Sequence, residues 1–284
     1  MPRGLFTRIP DDERREQLAA FAEFVARRDG VPDLRSRTLS RREEVLRRLE
    51  APAVTFPGRI DPALFAAQYA RYDGGRPTSR EMLLLLVLLK INAAETYSVE
   101  NALVMMSRCR NPQRGVRLAT LLQECYHTKI LLSSARLFGV PAEFQYQSFF
   151  RLIKALDVAL FRLPDSMSDA LKLASEIYSV IIFTRILQAT RDIVGHDPVL
   201  RDALEERVTE VLVDEVGHVS YARLCLGTRG LAAAKMLLPL IAMALRGPIP
   251  EARALGILPV PLAHVRSFDL RQVPEEVRRR AFVA

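Results

Sequence analysis

Apolar residues recur at helical spacing along most of the chain, in long stretches rich in Leu, Ala, Val and Arg. No stretch alternates apolar and polar residues with the period of two that a half-buried strand requires. Four stretches are long enough for helices of about 25–30 residues, each roughly 40 Å in length. The pattern therefore predicts an all-α fold built on a four-helix bundle.

Start and stop signals set the bounds of the four long helices. Ser79 and Asp197 have the side chains of N-cap residues, and Pro198 follows Asp197 at the first helical position, where proline is favoured. Gly139 and Pro141 stop the second helix, as residues beyond a helix end often do. We predict the four helices over residues 79–108, 112–138, 165–194 and 197–226.

Shorter segments flank the bundle. Ser40 is the expected N-cap of a helix over residues 40–50, because Glu43 follows it three residues later as in a capping box. The Pro-rich stretch from Pro248 predicts a tail that wraps the surface. Further helices are predicted over residues 11–28, 61–72, 143–161 and 231–245. We expect one domain, 1–284, with an N-terminal helical extension (1–78), the bundle (79–228), and a C-terminal packing helix with its tail (229–284).

Composition adds expectations about the protein's surroundings. The three cysteines are scattered and odd in number, which favours reduced thiols, and the N-terminus has no apolar signal core, so we expect a cytoplasmic protein. Residues 231–245 are apolar but shorter than a bilayer span, so no stable membrane insertion is expected. The net charge of +8 fits an acidic partner, such as a carrier protein or nucleic acid, but ordinary solvated arginines are the favoured explanation.

The strongest chemical signal is a repeated Glu-x-x-His motif. Glu124 and His127 form one copy, and Glu215 and His218 form the other. Residues three apart lie on the same side of a helix, so each copy directs a carboxylate and an imidazole at one spot. Both copies lie in strongly apolar stretches, and they contain two of only four histidines. We interpret each copy as half of a buried metal site.

The other two long helices are expected to supply one carboxylate each. Glu176 is the only charged residue of an otherwise apolar stretch in the third helix, so its burial needs a reason. In the first helix, Glu95 competes with Glu100, which faces a different direction. Glu95 is favoured because it is level with Glu124 across the hairpin. The predicted ligand set is Glu95, Glu124, His127, Glu176, Glu215 and His218.

Oxygen ligands with one imidazole for each metal suit iron or manganese and do not suit thiolate-bound zinc. A ligating histidine usually donates its other ring N–H to a nearby acceptor. Asp214 is placed to accept this hydrogen bond from His127, and Gln123 occupies the corresponding position in the other motif. His196 and His264 are not expected to be ligands.

Several neighbours of the predicted ligands have two interpretations. They could line a substrate pocket or an electron path, or they could be ordinary core residues. These neighbours are Tyr126, Tyr178, Val180, Val211 and Tyr221.

With these motifs in hand, the chain resembles ferritin-like di-iron oxygenases, and most closely the arylamine (p-aminobenzoate) N-oxygenase family. The matching segments are Glu95 with Glu100, residues 124–128, Ser175 with Glu176, and residues 214–218. The resemblance covers roughly residues 80–245. It implies a ferritin-like bundle with two iron ions that reduces dioxygen and transfers oxygen to a small organic substrate. It also implies an external electron donor and a homodimer.

One position departs from that family, which carries a third ligating histidine one turn before the Glu of the last motif. Here the position is Val211. N-oxygenation of an amine is therefore less favoured than hydroxylation of a C–H bond. Three alternatives stay open: a desaturase or hydroxylase of a carrier-bound substrate, a di-iron tRNA hydroxylase, and a ferroxidase or other iron-handling protein.

Overall fold

The computed structural model describes residues 4–33, 36, 38–51, 55–69, 78–91, 114–141, 165–245 and 249–284. These residues are mostly helical, which confirms the all-α class; a two-residue antiparallel pair, β1 (Pro32–Asp33) and β2 (Thr38–Leu39), is the exception. The helices are α1 Asp11–Asp29, α2 Arg42–Glu50, α3 Pro62–Tyr69, α4 Arg80–Lys90, α5 Arg114–Leu132, α6 Ser134–Leu137, α7 Asp165–Val194, α8 Pro198–Cys225, α9 Thr228–Ala244, α10 Pro250–Ala254, α11 Leu262–Ser267 and α12 Glu275–Arg278, with a 3₁₀ turn at Leu270–Gln272.

Helix α8 is the centre of the fold. Every residue from Arg207 to Leu224 is buried, so this part of the helix is enclosed on all sides. It packs against α7 along much of its length and also contacts α5, α1 and α12. Helix α7 in turn contacts α9. A helix enclosed in this way must place its polar side chains inside the protein, where each of them needs a partner.

The predicted bounds of the two longest helices are confirmed. Helices α7 and α8 begin and end within a residue or two of the predicted positions. The backbone N–H of Leu200 donates a hydrogen bond of 3.1 Å to Asp197, which caps α8 as expected. Ser79 likewise accepts a 3.2 Å hydrogen bond from the Met82 N–H and caps α4.

Three predictions of local structure are wrong. Helix α2 begins at Arg42, and Ser40 does not cap it; the Ser40 hydroxyl instead accepts a hydrogen bond from the Val31 N–H. The second long helix is interrupted at Ser133, which separates α5 from α6. The C-terminal tail does more than cover the surface, because it places apolar side chains such as Val265 and Val277 in the core.

The N-terminal extension reverses direction between α1 and α2 through the β1–β2 pair. Gly30 begins this reversal with a φ of +80°, and a Cβ there would lie 2.2 Å from the Ser40 hydroxyl oxygen. The Arg41 N–H donates to the Asp29 carbonyl at 3.0 Å. As a result, Asp29 at the end of α1 and Arg42 at the start of α2 are brought together.

No helix within the described residues is both long and apolar enough to cross a bilayer. The remainder of the first predicted bundle helix and the predicted helix over residues 143–161 lie outside the described residues.

Candidate metal centre

Three helices direct potential metal ligands into one buried volume. Helix α5 provides Glu124 and His127, α7 provides Glu176, and α8 provides Glu215 and His218. All five side chains are buried. The spacing of three residues places the two members of each Glu-x-x-His motif on one face of their helix, so both motifs point toward the same interior space.

Four of these residues form a compact group that could hold a metal ion. One ligand atom from each of Glu124, Glu176, Glu215 and His218 lies within 4.8 Å of all the others. Nδ1 of His218 is 2.9 Å from Oε1 of Glu124 and 3.6 Å from Oε2 of Glu176.

His127 approaches the same carboxylates from another direction. Its Nδ1 is 2.9 Å from Oε2 of Glu124 and 3.2 Å from Oε1 of Glu215. The two imidazole rings are 5.8 Å apart between centroids. Glu124 therefore presents one oxygen to each histidine.

Glu215 stands out among the buried charged residues of α8. Most of these side chains have clear partners: Arg207 donates to the Ser133 hydroxyl at 2.9 Å, and Arg28 donates to Glu210 at 3.0 Å. In contrast, neither carboxylate oxygen of Glu215 accepts a hydrogen bond of good geometry from the described residues, and Nδ1 of His218 also lacks one. An unsatisfied buried carboxylate is costly, so this arrangement favours a cation between the ligands.

The charges of the ligands are strongly coupled. Burial, reinforced by the carboxylates of Glu124 and Glu176, raises the pKa of Glu215 well above its usual value. Burial alone would lower the pKa of His127 and His218, but neighbouring carboxylates, Glu124 first, raise both. Without a cation, these shifts favour the protonated forms of all three groups.

The outward-facing nitrogens of both imidazoles are held by side chains from α8 and α5. Nε2 of His127 donates to Oδ2 of Asp214 at 3.0 Å, which is the contact expected from the sequence. Nε2 of His218 donates to Oε1 of Gln123 at 2.8 Å. With Nε2 carrying the proton in each ring, Nδ1 is the nitrogen available to a metal.

Two residues that sequence reasoning missed lie directly behind these partners. Arg42 bonds to Asp214 through its guanidinium, and Gln123 donates to Oδ2 of Asp29 at 2.5 Å. Both Asp29 and Arg42 are buried. Nothing in the local pattern marks them, because charged residues are frequent throughout the N-terminal extension.

Glu176 has a cation beside it. Nζ of Lys172, one turn earlier on α7, is 3.6 Å from Oε1 of Glu176. Burial raises the pKa of Glu176, but His218 and then Lys172 outweigh that effect and hold it below its usual value. These neighbours therefore favour the charged form of Glu176, which is the form that binds a metal.

The tyrosines near the ligands have structural partners. The Tyr126 hydroxyl bonds to Glu43 and accepts from the Leu39 N–H at 3.1 Å. The Tyr178 hydroxyl donates to the Leu238 carbonyl at 3.1 Å, and the Tyr221 ring stacks on that of Phe21 with centroids 4.9 Å apart.

The two valines named as possible pocket residues, Val180 and Val211, are fully buried. A cavity of about 80 Å³ lies beside Tyr178, with Ser175 and Ser179 in its wall. This volume is smaller than that of an ordinary ligand pocket.

Other residues considered from the sequence lie elsewhere. The side chain of His196 is 64% exposed, with Nε2 3.8 Å from Glu81, and the His264 ring contacts Phe268. Glu95 and Glu100 lie outside the described residues.

Comparison of the chain with protein-family models, with curated proteins and with solved structures finds no match.

Proposed function

We propose that the protein is a non-haem di-iron oxygenase that uses dioxygen to oxidise a small organic substrate. The observation that carries this proposal is the buried Glu215 carboxylate, which accepts no hydrogen bond of good geometry from the described residues and is surrounded by Glu124, Glu176 and two imidazoles. Burial of such a set of carboxylates costs free energy unless a cation neutralises their charge, and three helices converge to build the set.

Two ions fit the set better than one. Glu124 faces each imidazole with a different oxygen, and Glu215 also lies between the two histidines. In the proposal, Glu95 supplies the fourth carboxylate from the helix predicted over residues 79–108, of which α4 is the described part. That predicted helix would form a ferritin-like bundle with α5, α7 and α8.

The donor set favours iron, with manganese as the second choice. Carboxylate oxygens outnumber imidazoles, and the described ligand atoms include no thiolate. Zinc sites of structural type use mainly thiolate and imidazole ligands in a closed shell, whereas carboxylate-rich sites suit iron and manganese. Iron, when bound, supplies the redox chemistry that dioxygen activation requires.

The protein's own residues orient the ligands and exclude water. Asp214 and Gln123 each accept a hydrogen bond from the Nε2–H of one imidazole, which fixes the ring and leaves Nδ1 free to bind. The enclosure of α8 keeps solvent from the carboxylates. The electrons come from an external donor. The proposed protein is a homodimer in the cytoplasm. Its substrate is either free or attached to an acidic carrier protein.

We further propose that the substrate is oxidised at a C–H bond in preference to an aryl amine. Val211 lies one turn before Glu215, is fully buried and offers no metal ligand. An apolar side chain at this position gives one ion a ligand environment that differs from the histidine-rich one of the N-oxygenases.

Anaerobic titration with Fe(II) tests the metal proposal. The unmodified protein should bind about two equivalents and then consume dioxygen. Substitution of His127→Ala or His218→Ala should lose at least one equivalent, because each change removes an imidazole from the centre. Mössbauer spectra of the loaded protein would count the iron sites and report whether they are coupled.

His196→Ala is the matched control, since its imidazole is exposed and lies beside Glu81, which is not a proposed ligand. It should bind iron as the unmodified protein does. Full iron occupancy in the His127 and His218 variants would overturn the ligand assignment. Efficient conversion of an arylamine to its nitro or hydroxylamine product would overturn the preference for C–H bonds, and dioxygen consumption with no oxidised substrate from a broad panel would indicate an iron-handling protein.

A further inference from the structure

A ring of hydrogen bonds closes behind the two imidazoles of the metal centre. We call it the outer ring, and its members, in order, are His127, Asp214, Arg42, Asp29, Gln123 and His218. Glu124, which contacts both imidazoles, closes the ring on the side of the proposed metals. Each of the six side chains is buried. The two histidines are therefore linked through protein groups on the side away from the proposed metals as well as through Glu124 on the near side.

The links between the six members are short. Nε2 of His127 is 3.0 Å from Asp214, and Nε2 of His218 is 2.8 Å from Gln123. The Gln123 amide donates to Asp29 at 2.5 Å, which leaves its oxygen facing His218. Nε of Arg42 donates to the other oxygen of Asp29 at 2.5 Å, and its terminal nitrogen donates to Asp214.

Arg42 closes the ring through the shape of its guanidinium. Its three nitrogens bond to three different carboxylates, those of Asp29, Asp214 and Glu210. A planar fork can hold acceptors in fixed directions at once, whereas an ammonium group is a compact charge with rotatable donors. The geometry therefore depends on arginine, beyond its positive charge.

Both closing residues come from outside the helices that carry the ligands. Asp29 is the last residue of α1, and Arg42 is the first residue of α2. The tight reversal between them, which needs the positive φ of Gly30, places the two side chains side by side. The N-terminal extension thus contributes a preformed Asp–Arg pair to the back of the centre.

We infer that Asp29 and Arg42 are positioning residues of the metal centre. They fix Asp214 and Gln123, which in turn fix the directions of both imidazoles. This inference rests on the proposed metal-binding function. It assigns to the N-terminal extension a part in holding metal, in addition to its packing against α8.

The test measures the binding of Co(II) alone, monitored by the visible ligand-field absorption of the bound ion. Asp29→Asn removes the charge that holds Arg42 in place, and Arg42→Lys keeps the positive charge but loses the fork. Each variant should bind Co(II) about 10–100-fold more weakly, as expected for loss of a group behind a metal ligand. The absorption bands should also shift, since the imidazoles change direction.

Arg48→Lys is the matched control on the same helix. Arg48 is largely exposed, pairs with Glu206 at 2.6 Å and lies later on α2 than Arg42. It should leave Co(II) affinity and absorption unchanged. Far-UV circular dichroism of all variants would verify that they are folded; if Arg42→Lys does not fold, Asp29→Asn, which creates no new charge, decides the question.

A second readout uses the metal-free protein. The Nε2–H protons of His127 and His218 should give downfield proton resonances that exchange slowly with water in the unmodified protein. Asp29→Asn should accelerate the exchange of the His218 proton through Gln123. Unchanged Co(II) affinity and unchanged exchange in both variants would overturn the inference alone. Failure of the unmodified protein to bind Co(II) would overturn the proposed function, and the positioning role would fall with it.

Discussion

At the scale of single residues, Glu215 is the carboxylate of the centre whose charged form is least favourable without a cation. It is fully buried, its oxygens lack hydrogen bonds from the described residues, and Glu124 and Glu176 lie close by. Burial and these two neighbours raise its pKa, which favours its protonated form in the metal-free protein. A cation that replaces this proton restores the charge of Glu215 and gives each carboxylate a partner. The residue therefore links the stability of the fold to occupancy of the centre.

The proposed fourth carboxylate would distinguish two registers of the helix predicted over residues 79–108. Glu95→Ala should abolish the reaction of the Fe(II)-loaded protein with dioxygen, because under the proposed assignment one ion loses its carboxylate from that helix. Glu100→Ala is the matched control and should leave iron binding and dioxygen consumption intact, since Glu100 faces another direction on a regular helix. Stopped-flow measurement of dioxygen consumption checks both variants. The reverse result would assign the ligand to Glu100.

At the scale of elements, the sequence predicted what depends on local patterns. The bounds of α7 and α8 follow from capping residues and apolar periodicity, and the meeting of the two Glu-x-x-His motifs follows from helix spacing. The pairing of Arg42 with Asp214 was not predictable in this way, because the two residues are separated by 172 positions. Periodicity indicates that a helix face is buried, but it does not indicate which distant side chain will meet it.

Alanine substitution of two glycines is expected to change the free energy of unfolding in opposite directions. Gly30→Ala should destabilise the protein by about 1–2 kcal/mol or more, because an L-residue resists the left-handed region and its Cβ would clash with Ser40. Gly217→Ala should be neutral or stabilising by up to about 1 kcal/mol, since alanine favours a helix interior. Its Cβ would meet Phe21 at an ordinary 3.5 Å. Urea unfolding of both variants measures the difference; equal destabilisation would contradict the described reversal after α1.

At the scale of the whole molecule, both ends of the chain close around α8. Arg223 donates to the Ala284 carbonyl at 2.7 Å and to the Gly4 carbonyl at 3.2 Å. Arg280 bonds to Glu210, which also receives Arg28. Because α8 carries Asp214, Glu215 and His218, the terminal segments pack on the same helix that contributes to the candidate metal centre. We therefore expect the protonation of the centre to be visible in the stability of the entire molecule.

The signs of the pKa shifts set the direction of this dependence in the metal-free protein. Neighbouring carboxylates raise the pKa of His127 and His218 above the unfolded value of about 6.5. The stabilisation from these two groups is present in full below that value and is lost as the pH rises through their folded pKa. Burial raises the pKa of Asp214, but Arg28 and Arg42 outweigh it and lower the pKa. Its stabilisation is present above the unfolded value of about 3.9 and is lost as the pH falls.

We predict that the free energy of unfolding of the metal-free protein decreases between pH 7 and pH 8, by up to about 1.4 kcal/mol for each raised group. Above the unfolded value of about 6.5, a raised pKa lets the folded state hold protons that the unfolded state releases. Metal binding displaces those protons, so the Mn(II)- or Fe(II)-loaded protein should lose this decrease, and its metal affinity should rise with pH. Urea unfolding under anaerobic conditions at both pH values, with and without metal, measures the two slopes.

His218→Ala should reduce the metal-free slope, whereas His196→Ala should preserve it. Identical slopes with and without metal would show that the cation does not occupy the histidine centre.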